Sequence, residues 1–224
     1  MALLTKNNLN ADELSWDFHF PTSKKAIIIF TRNPELGKCK TRLAKTIGDE
    51  AALEIYKHLL KHTANITKNI KADKFVFYSE HIKKNDIWDE TIFRKKLQKG
   101  NDLGERMENA FIDIFALAYE KVMIIGSDLL DLKSEHITLA FDALNESEYV
   151  IGPAKDGGYY LLGMKVMHQK LFQNKKWGTS SVLKNTLIDI ENSNIKLLEE
   201  LNDIDTFEDM QHYNELKKYY ITND

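Results

Sequence analysis

The chain has 224 residues, enough for one large domain around a single core, and no shift in composition marks a second one. Lys and Arg number 31 against 34 Asp and Glu, a formal net charge of -3, so no global basic field recruits nucleic acid and any anion site must be local. The single cysteine, Cys39, excludes an intramolecular disulfide and a cysteine-based zinc site, and no apolar run approaches the roughly 18–20 residues that a membrane span requires.

Met1 to Ser23 is polar and mixed in charge, without the apolar centre of a signal peptide, so the chain is expected to stay in the cytoplasm. Within it Leu14, Trp16, Phe18 and Phe20 alternate with other residues. That pattern suits an added edge strand or an arm packing on the body or on a second copy of the chain, with a floppy extension as the alternative. The chain therefore divides into an N-terminal extension, 1–23, and one domain, 24–224.

Lys25 to Thr31 is a continuous apolar run of the kind buried on both faces of a sheet. It breaks into a loop, Arg32 to Leu43, that carries Arg32, Lys38, Lys40 and Arg42 together with Pro34 and Gly37. Pro and Gly permit a compact turn, while Arg offers a planar fork and Lys a point charge to diphosphate oxygens. The plain alternative is a strand-to-helix loop with solvated lysines. Asp49 is placed to cap a helix running to about Lys68, with Leu53, Tyr56, Leu60 and Ala64 near one face. Phe75 to Tyr78 reads as a second strand, and Ile82 to Lys96 as a surface excursion with a short strand, anchored by Trp88. A further helix is expected from Gly104 to about Tyr119.

Val122 to Ile125 reads as another buried strand, ending in Gly126-Ser127-Asp128. A carboxylate at a strand's carboxyl end faces the crevice where open α/β sheets bind ligands. Beside a diphosphate it would repel the ligand unless a cation lay between, so Asp128 points to Mg²⁺ or Mn²⁺. Fixing the turn is its alternative role, with Asp131 or Ser134 capping the next helix. Tyr149 to Ile151 and Tyr159 to Met164 flank an Asp156-Gly157-Gly158 turn, a hairpin whose glycines let backbone approach a ligand and whose acid can address an acceptor. Trp177-Gly178-Thr179-Ser180-Ser181 precedes a helix whose N-terminus can meet an anion. Late in the chain Asp203 and Asp205 follow a short apolar run, Asp205 or Thr206 starts a last helix, and Asp205 to Glu208 has capping-box spacing. Strands alternating with helices predict an α/β sandwich around a mostly parallel sheet.

Six motifs in order, Gly37 to Leu43, Asp102 to Met107, Gly126 to Asp128, Gly152 to Tyr160, Trp177 to Ser180 and Asp203 to Thr206, resemble one bacterial family over residues 24–213. It is domain of unknown function 2064, also described as a glycosyltransferase A-type (GT-A) transferase associated with radical-SAM, selenodomain or arsenosugar clusters. The resemblance implies a three-layer α/β/α sandwich with a mixed, mostly parallel, Rossmann-like sheet: the nucleotide-diphospho-sugar transferase fold. It implies a metal site at Asp128 and Asp205, and a nucleotide site at Arg32, Gly37, Lys40, Arg42 and Arg106. Arg32 stands where the family usually has Lys, and Leu129-Leu130 replaces the commoner Cys-Pro. Gly157, Gly158, Tyr159, Trp177 and Thr179 would then contact substrate.

The leading expectation is a metal-dependent transferase that moves a glycosyl group from a nucleotide sugar to a small-molecule acceptor, with Asp156 as the catalytic acid–base group. Nucleotidyl transfer from an NTP to a phosphorylated small molecule is the alternative and requires no side-chain base. A non-catalytic nucleotide-binding module is a third.

Overall fold

Ala26 to Ile29 are apolar without interruption, and such a run can be buried only at the centre of a sheet covered on both faces. In a computed structural model, which describes residues 3–4, 18–19 and 21–220, that is where they lie: β1 (Lys25–Thr31) pairs parallel with β2 (Asp73–Tyr78) on one side and β4 (Lys121–Ile125) on the other. Ile28 stands opposite Phe75 and Ile124 in these ladders. The sheet is completed by β3 (Phe93–Leu97), β5 (Tyr149–Pro153), β6 (Tyr159–Met164) and β7 (Ile195–Leu197), in the order β3-β2-β1-β4-β6-β5-β7. Only β6 runs antiparallel to its neighbours, because the Asp156-Gly157-Gly158 turn returns the chain directly from β5 as a hairpin.

Alternation along β1 sends Ile27 and Ile29 to one face and Ala26 and Ile28 to the other. The first face is covered by α2 (Asp49–Thr67) and α4 (Ser134–Ala143) through Tyr56, Leu60 and Phe141. The second is covered by α3 (Leu103–Phe115) and α5 (Val182–Asp189), with Met107, Phe111 and Leu187. A third apolar cluster joins α1 (Thr41–Ile47), α2 and α6 (Phe207–Met210) through Leu43, Ile55 and Met210. The result is the three-layer sandwich expected from the sequence. No helix among the described residues is long and apolar enough to cross a membrane.

Several boundaries differ from expectation. The basic loop ends early in α1, and α2 is preceded by Gly48, so Asp49 lies in the first turn, where with Glu50 it complements the helix dipole. α3 stops at Phe115, before the turn in which Ala118 takes φ 64°. Neither Asp131 nor Ser134 caps α4: its cap position is Lys133, and the Asp131 carboxylate accepts from the Tyr213 hydroxyl. Of the two expected starts, Asp205 and Thr206, it is Thr206 that caps α6, with Asp209, so the capping box lies one residue later than Asp205 to Glu208. Trp88 is buried edge-on against Phe93, the anchor it was expected to be. Leu14, Trp16 and Phe20 lie outside the described residues; Phe18 pairs antiparallel with Leu4 in a two-residue ladder apart from the main sheet.

Candidate active site

The chain ends of β1 to β4 open into one cleft of about 730 Å³, lined among others by Arg32, Lys40, Arg42, Arg106, Asp128 and Asp205. This is within the size range of small-molecule sites, about 300–1,000 Å³. Its floor is held by three side chains that tie strand ends together. Tyr56, reaching up from α2, accepts from the Arg32 amide at 2.9 Å. Gln98 donates to the carbonyls of Thr31 (3.1 Å) and Phe77 (2.8 Å), joining β1 to β2. Asn33 donates to the His81 carbonyl at 2.8 Å and accepts from the Glu80 amide at 3.0 Å, which fixes the loop after β1 against the loop after β2. None of the three was singled out from sequence for the site. Tyr56 was read only as part of a core stripe, and Asn33 left the general turn signal of Asn-Pro.

The charges form a chain across the cleft mouth. Gly37, φ 73°, turns the loop, and Lys40 takes a left-handed conformation, φ 49°, just before α1. Its ammonium lies 2.9 Å from Asp128 and 3.7 Å from Asp205, and Arg42 reaches Asp205 at 3.0 Å. The Lys40 side chain is 5 % exposed, while the carboxylates of Asp128 and Asp205 are 34 % and 33 % exposed. Burial alone would pull the Lys40 ammonium down, but Asp128, then Asp205 and Asp203, outweigh it and hold the group above its ordinary value. Asp203 is pushed up to about 6, by burial first and then by the neighbouring charge of Asp128, with Lys40 opposing and Asp156 adding to the rise.

Two local features place Asp205 here. The Ile204 amide donates to the Asp128 carbonyl at 3.1 Å, laying the late segment against the end of β4. The shifted cap of α6 then leaves the Asp205 carboxylate free, because Asp209 takes the amides of Asp205 (3.1 Å) and Thr206 (2.7 Å).

Four carboxylates, Asp128, Asp156, Asp203 and Asp205, thus influence one region that holds two cations, Lys40 and Arg42. Among the described residues no three His, Cys, Asp or Glu side chains close into a metal cage. Mg²⁺ sites commonly take one or two carboxylates and complete their shell with water and substrate phosphate. Asp128 and Asp205, drawn together by one cation and with acidic charge in excess, fit that habit. Also lining the cleft, the Arg32 guanidinium makes no ion pair among the described residues, and Arg106 donates to the Gly100 carbonyl at 3.1 Å.

The remaining expected residues are elsewhere. Gly37 borders the cleft without lining it, and Asp156, Gly157, Gly158, Tyr159, Trp177 and Thr179 do not line it either. They form a second packed constellation. Asp156 accepts from the Gly158 amide at 2.8 Å, Tyr159 points its hydroxyl at the Met107 sulfur, and Thr179 donates to the Lys176 carbonyl at 2.7 Å. Gly157 has φ 86°, and a Cβ there would meet the Ser180 backbone at 2.4 Å. At Gly104 a Cβ would meet the Trp177 indole at 2.3 Å, so Trp177 closes on the start of α3.

A sequence model of the family described as an uncharacterized protein conserved in bacteria (DUF2064) matches residues 62–179, more than half of the chain. The chain belongs to DUF2064. Among solved structures this DUF2064 chain is similar to a protein from Desulfovibrio desulfuricans G20 provisionally described as a nucleotide-diphospho-sugar transferase, with 26 % identity over 89 % of this chain and 100 % of that one, at a TM-score of 0.78. A cytidylyltransferase from Leptospira borgpetersenii matches at 16 % identity and TM-score 0.59, covering 89 % and 88 %. Glucosyl-3-phosphoglycerate synthase from Mycobacterium tuberculosis, solved with Mn²⁺ and uridine diphosphate, matches at 9 % and 0.50, covering 80 % and 70 %. At the latter two identities the likeness is one of fold. No curated protein matches. The DUF2064 chain has the nucleotide-diphospho-sugar transferase fold.

Proposed function

We propose that the cleft binds a nucleotide-activated donor and that the chain is a metal-dependent transferase, moving a glycosyl group from a nucleotide sugar to a small acceptor. The observation that carries this reading is the meeting, at the carboxyl edge of the sheet, of Asp128 and Asp205, bridged by Lys40, with Arg32, Arg42 and Arg106 in the lining of one nucleotide-sized cleft. Arg32 and Arg106 would bind the donor diphosphate, with Arg42 at the boundary between phosphate and Asp205. Asp128 and Asp205 would hold Mg²⁺ or Mn²⁺, which when bound offsets negative charge on the leaving diphosphate. Lys40 keeps the two carboxylates side by side. The likeness to the Desulfovibrio protein, and to a fold relative solved with Mn²⁺ and uridine diphosphate, supports this reading.

In this reading Asp156, at the tip of the β5–β6 turn, takes the acceptor's proton, and its exposed position leaves it open to a separate molecule. One observation favours nucleotidyl transfer as a second reading: Asp156 does not line the cleft, and attack by an acceptor phosphate on an NTP requires no base.

The test is a calorimetric titration of NTPs and nucleotide sugars, with and without Mn²⁺, on wild type and Asp128→Ala. Glycosyl transfer predicts Mn²⁺-dependent binding of a nucleotide sugar, lost in the variant, and release of nucleoside diphosphate on turnover. Release of pyrophosphate from an NTP would establish the second reading. Equal nucleotide affinity in Asp128→Ala and wild type with Mn²⁺ present would refute the metal assignment.

A further inference from the structure

The floor of the cleft contains one side chain whose hydrogen-bonding sense is fixed. Gln98, which follows β3, spends both amide hydrogens on the carbonyls of Thr31 (3.1 Å) and Phe77 (2.8 Å). Its backbone amide donates to the Tyr78 carbonyl at 2.9 Å, which holds the residue over the ends of β1 and β2. Turning the side-chain amide over would set Oε1 against the same two carbonyls, so the orientation is dictated by its partners. Oε1 accepts no hydrogen bond among the described residues, and it is the one atom that Gln98 can offer a ligand.

Other lining side chains that follow β2 and β3 add acceptors rather than donors. Asp102 accepts from the Glu105 amide at 2.9 Å, and the Glu80 carboxylate makes no hydrogen bond or ion pair among the described residues. The Ser79 hydroxyl donates to Asn33 at 3.4 Å. Beside Gln98 lies a ring. Phe30 lines the cleft and is half-buried, with its ring 5.9 Å from that of Phe77, whose carbonyl Gln98 holds. Asp128 follows β4, on the other side of β1. From β4 to β2 is two strand spacings, about 10 Å, which leaves room for a ribose between a diphosphate at the carboxylates and a base at Gln98.

We propose that Gln98 selects the nucleobase of the donor, favouring one that carries an exocyclic amino group (adenine, guanine or cytosine) over uracil and thymine. The proposal rests on the nucleotide reading of the cleft and narrows it to a class of nucleotide. The base would lie against Phe30 and give an amino hydrogen to Gln98 Oε1. Uracil and thymine carry carbonyl oxygens on both sides of a single N–H, and an acceptor that cannot turn over repels those oxygens.

Calorimetric titration of CDP, UDP, ADP, GDP and IDP in the presence of Mn²⁺ tests it, because CDP and UDP, and ADP or GDP and IDP, differ at the amino group. In wild type the tightest ligand should carry an amino group and exceed its counterpart, UDP or IDP, by about tenfold, on the scale of one hydrogen bond. Gln98→Leu should bring that ratio to within about twofold. Loss of the floor contacts would lower the melting temperature and weaken both members of a pair alike, so the ratio reports selection and not support. Phe30→Ala should weaken the tightest ligand by about fivefold or more, the scale of base stacking on an aromatic ring, and leave the ratio in place. UDP as the tightest ligand, or a ratio unchanged in Gln98→Leu, would overturn the proposal and leave the nucleotide reading standing. No binding of any of the five with Mn²⁺ would refute the nucleotide reading, and the selection with it.

Discussion

Lys40→Met removes the ammonium that joins Asp128 to Asp205 while keeping a side chain of similar length. In wild type that ammonium is 5 % exposed and touches Asp128 at 2.9 Å. Breaking a fully buried ion pair costs about 3–5 kcal/mol, because the partner charge is left uncompensated. Here the two carboxylates are about one-third exposed and recover water, so the expected loss is nearer 2 kcal/mol. For a chain of this length that corresponds to about 4–8 °C in melting temperature. A divalent cation should reverse the order of effects. Under the proposed metal site wild type would bind the ion against Lys40, whereas the variant would offer it an unpaired Asp128 and an Asp205 held only by the exposed Arg42, so Mn²⁺ should stabilise Lys40→Met more than wild type. A ligand at a hundred times its Kd stabilises by about 2.7 kcal/mol, enough to offset the whole deficit. Thermal melts of both proteins across a Mn²⁺ series, with direct Mn²⁺ binding followed by electron paramagnetic resonance, measure this. A metal-free variant melting within about 1 °C of wild type would show that the pair holds nothing together. An equal gain from Mn²⁺ in both proteins would refute the claim that Lys40 and the metal address the same carboxylates.

Arg32→Ala should weaken donor nucleotide binding about ten- to a hundredfold, the loss of a charge-assisted contact, in a calorimetric titration with Mn²⁺; a change below about twofold would remove Arg32 from the phosphate site. Asp156→Asn retains an acceptor for the Gly158 amide, so under glycosyl transfer its melting temperature and donor affinity should hold while turnover falls about 10²- to 10⁴-fold. Unchanged turnover would exclude Asp156 from the chemistry. Gly157→Ala should destabilise by about 1–3 kcal/mol in urea denaturation, from positive φ and the Ser180 backbone in the path of the methyl group, and near-wild-type stability would contradict that packing. The Asp73 carboxyl is raised by burial but lowered further by hydrogen bonds from Thr22 and Tyr119, so its folded pKa lies below its unfolded one. Its stabilisation is therefore complete above about pH 4 and lost as pH falls through the folded value, and urea midpoints below pH 4 should fall more steeply for wild type than for Asp73→Asn.

The fold was legible where burial on two faces forced long apolar runs, as in β1, β2 and β4, and where a turn had glycines at its tip, as between β5 and β6. α1 escaped notice because Thr41 to Ile47 carries a Lys and an Arg, and only Leu43 among its side chains is buried, too little for a helical period to show. The start of α6 stayed open between Asp205 and Thr206, and its capping box was read one residue early, because two overlapping frames, Asp205 to Glu208 and Thr206 to Asp209, carry the same signature. The second frame prevails with Asp209 accepting three hydrogen bonds from the backbone and side chain at the helix start.

That one-residue difference bears on the site more than on the helix. Had Asp205 been the cap, its carboxylate would have turned to its own backbone; with Thr206 in that place, it faces Lys40 and Arg42. The same reasoning limits what a basic loop can say about phosphate. Of its four cations, Lys38 pairs with Glu35 at 2.7 Å, Lys40 with Asp128, and Arg42 with Asp205, each through a partner that the order of residues does not reveal except for the local Lys38–Glu35 pair. Arg32 alone of the four has no carboxylate partner among the described residues. A count of positive charge therefore overstates the loop's hold on a diphosphate. In this reading, the direct cationic recognition of the donor falls to Arg32 and to Arg106 from α3, while Lys40 acts on the donor only through the carboxylates it holds in place.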